Sequence, residues 1–349
     1  MIKKVFLSLL ATVFVVTLAG FIYVEKTLPV LPEETDGIID NVLEHPLPEL
    51  IVGQQGYVRS GEAAIWYEVI DTEKTPVGTV MLMMGISNDA LGWPRHFLGS
   101  LREAGYRIIR YDYRGTGLSD WMINWDRAHP YNLNHLTADA LAIIDALKID
   151  KVHVLGISLG GMVAQQMAIN HPNRVASLVS MMSSCDILDP ELPPISMDVV
   201  KQFIFAQIRY GLISTEKNII KLHLTSRAIL RGEADYSLDT HPLAQSVLYN
   251  IRNRNGYNPK VSEQHNAAVM TSGSRAAPLA KLQMPTLIIH GEADPLIPIA
   301  HGAKCADIIP NSVFVRIPEM GHDLPSTFNE SITNTLSRFW TLQSSAFNG

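Results

Sequence analysis

The chain has 349 residues, 47% hydrophobic and 18% charged, a balance that suits one large α/β domain or such a domain carrying an insertion. Its 28 lysines and arginines face 34 acidic residues, for a net charge of −6, so composition offers no electrostatic footprint for a nucleic-acid partner. No internal repeat and no low-complexity tract interrupts it.

The chain opens with Lys3-Lys4 and an uncharged apolar run from Val5 to Val24. As a helix that run spans about 30 Å, the thickness of a bilayer's hydrocarbon core. Thr17-Leu18-Ala19 offers a cleavage site, but the apolar run continues past it through Phe21-Ile22-Tyr23-Val24. An uncleaved signal anchor over residues 1–28 is therefore expected, and a membrane partner with it. The two lysines keep the N-terminus in the cytoplasm, which places the remainder outside it, in a bacterial periplasm or at the cell surface. Secretion after signal cleavage is the alternative. Residues 29–55, with Pro29, Pro32, Pro46 and Pro48, read as a linker holding one short helix around Ile38 to Leu43. The two cysteines, Cys185 and Cys305, are read as small buried hydrophobes, with pairing in an oxidising compartment the alternative.

From Gly56 the pattern becomes that of strands alternating with helices. Gly56 to Ile70 reads as a hairpin turning at Ser60-Gly61, and Val80 to Met84 as a buried strand. The loop after that strand, Gly85-Ile86-Ser87-Asn88-Asp89, lies where α/β sheets bind ligands. Ile86 is the candidate there for a backbone N–H aimed at a developing oxyanion. Trp93 follows as a candidate substrate contact. Phe97 to Ala104 reads as a helix and Arg107 to Tyr111 as a strand. Asp112 and the glycines after it are assigned to fixing a turn, and Trp121, Trp125 and Tyr131 to a pocket rim. Leu136 to Leu147 is the next helix.

Val152-His153-Val154-Leu155 is a short apolar strand, followed by Gly156-Ile157-Ser158-Leu159-Gly160-Gly161 and a helical run from Met162 to Ile169. A serine on a tight turn between strand and helix, with glycine two residues to either side, is a nucleophile elbow. Side chains at Gly156 and Gly160 would collide with neighbouring backbone. The turn presents the Ser158 hydroxyl and aims the Leu159 N–H, at the helix start, toward any negative charge forming beside it.

Ser177 to Met182 is a further strand. Between Asp186 and Met284 no strand is evident, and helical runs at Val199–Tyr210, Thr215–Arg231 and Pro242–Arg252 read as an inserted cap over residues 186–284. Phe203 and Tyr210 are its candidate substrate contacts, and its apolar content favours an apolar substrate. The sheet resumes at Thr286 to His290, with Asp294 just past the strand end as the triad acid and Glu292 as its rival. Val313 to Ile317 is the last strand, and His322 follows it in a Gly-His loop. His153 and His290 lie inside strands and read as structural. No spacing of histidine or cysteine resembles a metal site, and no cofactor is implied. The core then comprises residues 56–185 and 285–345, and the chain order Ser158, Asp294, His322 is that of a Ser-Asp-His triad on this kind of sheet.

Several blocks carry a resemblance: ALGWP at 90–94, RIIRYDYRGTGLSD at 107–120, GISLGG at 156–161 and PTLIIHGEADPLIPIAHGAKCADIIPNSVFVRIPEMGHDLP at 285–325. Over roughly Gly56 to Trp340 the chain resembles the α/β-hydrolase superfamily, and within it the aclacinomycin methylesterase group of bacterial esterases. The resemblance implies a mostly parallel eight-stranded sheet flanked by helices. It also implies a serine esterase that acts on a small-molecule ester through an acyl-enzyme. The chain departs from that group at Tyr113-Arg114-Gly115, in its N-terminal run and in the cap, so the polyketide substrate does not carry over. The alternatives are a membrane-associated lipase, a lactone or carbon–carbon hydrolase, and a ligand-binding protein without catalysis on the same fold.

Overall fold

The computed structural model describes Gly20 and residues 23–347. Eight strands form one sheet: β1 (Gln54–Ser60), β2 (Ala63–Ile70), β3 (Gly78–Met83), β4 (Tyr106–Tyr111), β5 (Val152–Ile157), β6 (Val175–Met181), β7 (Thr286–Gly291) and β8 (Val313–Ile317). Their order across the sheet is β1-β2-β4-β3-β5-β6-β7-β8. The β1–β2 and β2–β4 pairs are antiparallel and the other five are parallel. The expected mostly parallel eight-stranded sheet is borne out.

Central strands buried on both faces read as unbroken apolar runs because each face needs its own set of side chains. Met81, Ile109, Val154, Leu178 and Ile288 point to one core. Their chain neighbours Leu82, Ile108, Leu155, Val179 and Leu287 point to the other. The first layer is closed by helices Leu133–Ala146 and Leu159–Asn170, the second by Arg95–Glu103 and Asn329–Phe347.

The order of the strands decides where a ligand can sit. From β3 the chain steps to β4 on one side, and from β5 to β6 on the other. At such a reversal the loops leaving the two strands part and open a crevice at their C-terminal ends. The loops that part here begin at Gly85 and at Ser158.

Between β6 and β7 stand four longer cap helices, α1 (Met197–Tyr210), α2 (Glu216–Arg231), α3 (Thr240–Asn253) and α4 (Val261–Met270), and a single turn at Ala276–Leu279. Three match the sequence reading. Helix α4 does not, because it buries Gln264 and His265 where an apolar stripe would announce a helix. The 29–55 segment differs from a free linker. Its helix Thr35–Glu44 buries Ile39 and Val42 against Ile220, Leu224, Val247 and Leu248 of α2 and α3. Lys217 and Lys221 of α2 pair with Asp36.

Of the apolar run Val5–Val24, only Gly20, Tyr23 and Val24 are among the described residues, so the expected anchor lies outside them. Among the described residues no helix is long and apolar enough to cross a membrane. Cys185 and Cys305 are buried free thiols and hydrogen-bond to one another. Sequence distance gave no sign that a residue after β6 and one in the helix after β7 would meet.

Candidate active site

Ser158 sits on the turn from β5 into helix Leu159–Asn170 with φ 55° and ψ −118°. The turn holds because its backbone is tied down: the Ser158 N–H donates to the Met181 carbonyl at 2.9 Å, and the Ser183 hydroxyl donates to the Ser158 carbonyl at 2.7 Å. The expectation for its glycines is met. A Cβ on Gly156 would lie 2.0 Å from the Gly160 carbonyl oxygen, and one on Gly160 would lie 1.9 Å from that of Met83. Gly160→Ala is therefore expected to destabilise the protein by about 3 kcal/mol or more, since a packed strand cannot retreat that far. Gly99 makes the control. It lies in helix Arg95–Glu103 with open space where its Cβ would be, so Gly99→Ala should gain up to about 1 kcal/mol. Urea unfolding of the two variants measures both.

Asp294 and His322 arrive from the ends of β7 and β8. His322 Nδ1 lies 2.7 Å from Asp294 Oδ2. The other carboxylate oxygen accepts the Leu296 and Ile297 N–H groups, each at 2.9 Å. Burial alone would push the Asp294 pKa up. The neighbouring His322 and the hydrogen bonds from His290 and His322 outweigh it, and the carboxyl is held well below its usual range. Glu292, its rival in the sequence, is partnered instead with Arg316 on the surface. His290 is more than a packed strand residue. It is fully buried, with Nε2 2.9 Å from the Ile297 carbonyl and 3.3 Å from Asp294 Oδ2.

The oxyanion candidates occupy the two parted loops. Leu159 is the first residue of its helix, so its N–H has no acceptor within the helix. The loop carrying Ile86 abuts the serine: a Cβ on Gly85 would lie 3.6 Å from the Ser158 Cβ. That loop is pinned by a residue sequence reasoning missed. His265 of α4 accepts the Ser87 N–H at Nδ1 (3.1 Å), while its Nε2 faces the Arg114 carbonyl at 3.2 Å. The two partners fix the neutral tautomer with its proton on Nε2.

Burial pushes the His265 pKa from 6.5 down to about 4. As pH falls through that interval the unfolded chain takes up a proton here and the folded chain does not. Stability is therefore lost on acidification, by up to about 3 kcal/mol at pH 4. Urea midpoints between pH 7 and pH 4 should show the loss, and His265→Asn should flatten that part of the slope.

Asp112 has the structural role assigned to it, with a longer reach than a turn. It accepts the N–H groups of Ala90 (2.9 Å) and Leu118 (2.8 Å), and pairs with Arg254 just after α3. The acid thus ties the loop after β3 to the cap. Burial pushes its pKa up to about 6, with the Arg254 guanidinium opposing.

A cavity of about 390 Å³ lies between sheet and cap, lined by both Ile157 and His322. Trp93, a candidate substrate contact, lines it. Phe203 and Tyr210 do not. They belong to α1, where Phe203 packs with Val24, Leu28 and Leu222, and Arg209 lies over the Tyr210 ring. The cap's share of the wall comes from α2, α3 and the segment between them, and it faces the loop after β3. Trp121, Trp125 and Tyr131 also lie outside it. Nor is the wall uniformly apolar. Leu238, Leu243 and Val247 share it with His223 and with the Arg227–Asp323 ion pair, whose N–O distance is 2.7 Å. Among the described residues no cluster of potential metal ligands is present.

The comparisons with known proteins agree with this architecture. The family model described as alpha/beta hydrolase fold matches residues 78–327. The chain belongs to the α/β-hydrolase family. It is 29% identical to the rhodomycin D methylesterase of Streptomyces sp. strain C5 over 292 residues, covering 79% of this chain and 94% of that protein. The likeness to bacterial methylesterases read from the motif blocks is thus borne out. It is also 26% identical to a 2-hydroxy-6-oxononadienedioate/2-hydroxy-6-oxononatrienedioate hydrolase of Klebsiella pneumoniae, covering 74% of this chain and 87% of that one. Among solved structures, an esterase from Exiguobacterium antarcticum superposes with a TM-score of 0.63 at 20% identity, covering 82% of this chain and 99% of that one. This last likeness concerns the fold.

Proposed function

We propose that this α/β-hydrolase is a serine esterase that cleaves a carboxylic ester of an apolar small molecule through an acyl-enzyme. The observation that carries the reading is the His322–Asp294 hydrogen bond in the loops after β7 and β8, on a chain whose Ser158 stands on an elbow at the end of β5. In the proposed reaction His322 takes the Ser158 proton as the hydroxyl oxygen attacks the ester carbonyl, and gives it to the departing alcohol. Asp294 fixes the imidazole tautomer and balances the imidazolium charge. The Ile86 and Leu159 N–H groups hold the oxyanion, and loss of one such donor typically raises the barrier by about 3 kcal/mol. Water deprotonated by His322 then releases the acid. The methylesterase relative supports ester chemistry; the apolar half of the cavity wall supports an apolar substrate. No cofactor enters these steps.

The carbon–carbon hydrolase relative supports a second reading, with the same serine and histidine acting on a ketone carbonyl. We further propose that the run Val5–Val24 anchors the enzyme in a membrane, with the catalytic domain outside the cytoplasm. Secretion after cleavage is the competing outcome.

Initial rates on p-nitrophenyl esters from acetate to palmitate, with full-length protein in detergent, test the esterase reading. Serine-dependent turnover strongest at short chains is expected. A maximum at long chains would make the enzyme a lipase, and no turnover on any ester would overturn the reading.

A further inference from the structure

Helix α1 has two apolar faces. Val199 and Ala206 are buried toward the cap. Met197, Ile204 and Ile208 fall on the opposite side, at a spacing that lines them up along one stripe. They are 72%, 55% and 46% exposed, and Leu212 and Ile213, just past the helix end, are 79% and 68% exposed. Single exposed apolar residues are ordinary, but a contiguous row of this kind marks a contact surface.

The end of the N-terminal run is docked on the flank of the same helix. Val24 and Leu28 are buried in a cluster with Val199, Phe203 and Ala206. Tyr23 meets Phe205 edge to face at 5.7 Å, the Lys201 ammonium lies 5.3 Å over the Tyr23 ring, and Glu25 pairs with Arg209. The chain immediately before Tyr23 is the uncharged run from Val5, whose length matches the hydrocarbon core of a bilayer. The point where that run would leave the membrane is thus fixed beside the exposed stripe. Tyr23 and Lys201, an aromatic ring and a long cationic side chain, are the residue types that settle at a membrane–water interface.

We propose that α1 lies flat on the lipid surface, with Met197, Ile204, Ile208, Leu212 and Ile213 among the acyl chains. This rests on the membrane-anchored reading given above. A helix of this length and patterning is suited to an interface, and the tether makes even weak insertion sufficient by raising its effective concentration. The cap that walls the cavity is then held against the bilayer, so the substrate class is an ester that partitions into lipid.

The test uses the full-length chain in phosphatidylcholine–phosphatidylglycerol nanodiscs. Spin labels are placed singly at Ile204→Cys, Ile208→Cys and, as an aqueous control, Glu330→Cys. Cys185 and Cys305, being buried, stay unlabelled. At 204 and 208, collision with oxygen should exceed collision with a water-soluble nickel chelate several-fold, with the reverse at 330. The triple variant Ile204→Ser, Ile208→Ser, Leu212→Ser should slow hydrolysis of a vesicle-dissolved ester several-fold and leave that of soluble p-nitrophenyl acetate unchanged. Water-like accessibility at 204 and 208 overturns the proposal. So does dipolar coupling between labels on two chains, which would make the stripe a self-association surface. Carbonate washing separates the failures: a chain that washes off the membrane refutes the anchor itself. A chain that stays, with labels reading water, refutes only the placement of α1.

Discussion

Ser158→Ala is expected to lower kcat on any cleaved ester by roughly 10⁴- to 10⁶-fold and to leave the unfolding midpoint nearly unchanged. The size follows from the proposed role: in that reaction, without the hydroxyl oxygen no acyl-enzyme forms, and His322 and Asp294 have nothing to activate. The small structural effect follows from what holds the turn. The bonds from Ser158 to Met181 and from Ser183 to Ser158 use the backbone of residue 158, which alanine keeps. Stopped assays on the preferred ester together with urea unfolding check both halves. Turnover within tenfold of wild type would place the nucleophile elsewhere.

Asp294→Asn is expected to cost about 10⁴-fold in kcat through the histidine's proton rather than through geometry. The amide keeps an oxygen for the Leu296 and Ile297 N–H groups, so the loop after β7 retains its shape. Its NH₂ then takes the place of the oxygen that faces His322 Nδ1. That donor selects the tautomer with Nδ1 bare and the proton on Nε2, where it blocks acceptance of the Ser158 proton. The rate should recover partly at high pH, where hydroxide substitutes for the general base. Alanine at 294 would also remove the oxygen that accepts the buried Ile297 N–H and the part-buried Leu296 N–H, and should destabilise the fold as well. Comparing pH–rate profiles and unfolding midpoints of the two variants separates orientation from support.

Much of this was legible in residue order because local chemistry is constrained locally. The β-branched strand Val152 to Leu155, the glycines around Ser158 and the Gly-His pair at 321–322 each encode a turn or strand end in a few adjacent residues. A sheet buried on both faces writes its strands as apolar runs whatever lies beside them. The hairpin at Ser60-Gly61 was equally local.

What depended on distant packing was not legible. Nothing around His265 marks it as the support of the loop after β3, since its two partners, Ser87 and Arg114, are 178 and 151 residues away. Phe203 and Tyr210 had the composition of a pocket wall, but composition does not say which side of a cap helix meets the cavity. The helix Thr35–Glu44 looked like part of a spacer until Ile39 and Val42 found α2 and α3. By itself the sequence determined the strands, the elbow and the order of the candidate triad, because each is set by the backbone's short-range sterics. Only the tertiary structure decided which acid faces His322, which helices wall the cavity and where the N-terminal run leaves the domain. Those depend on which buried surfaces pair across hundreds of residues, and that pairing is a property of the packed chain as a whole.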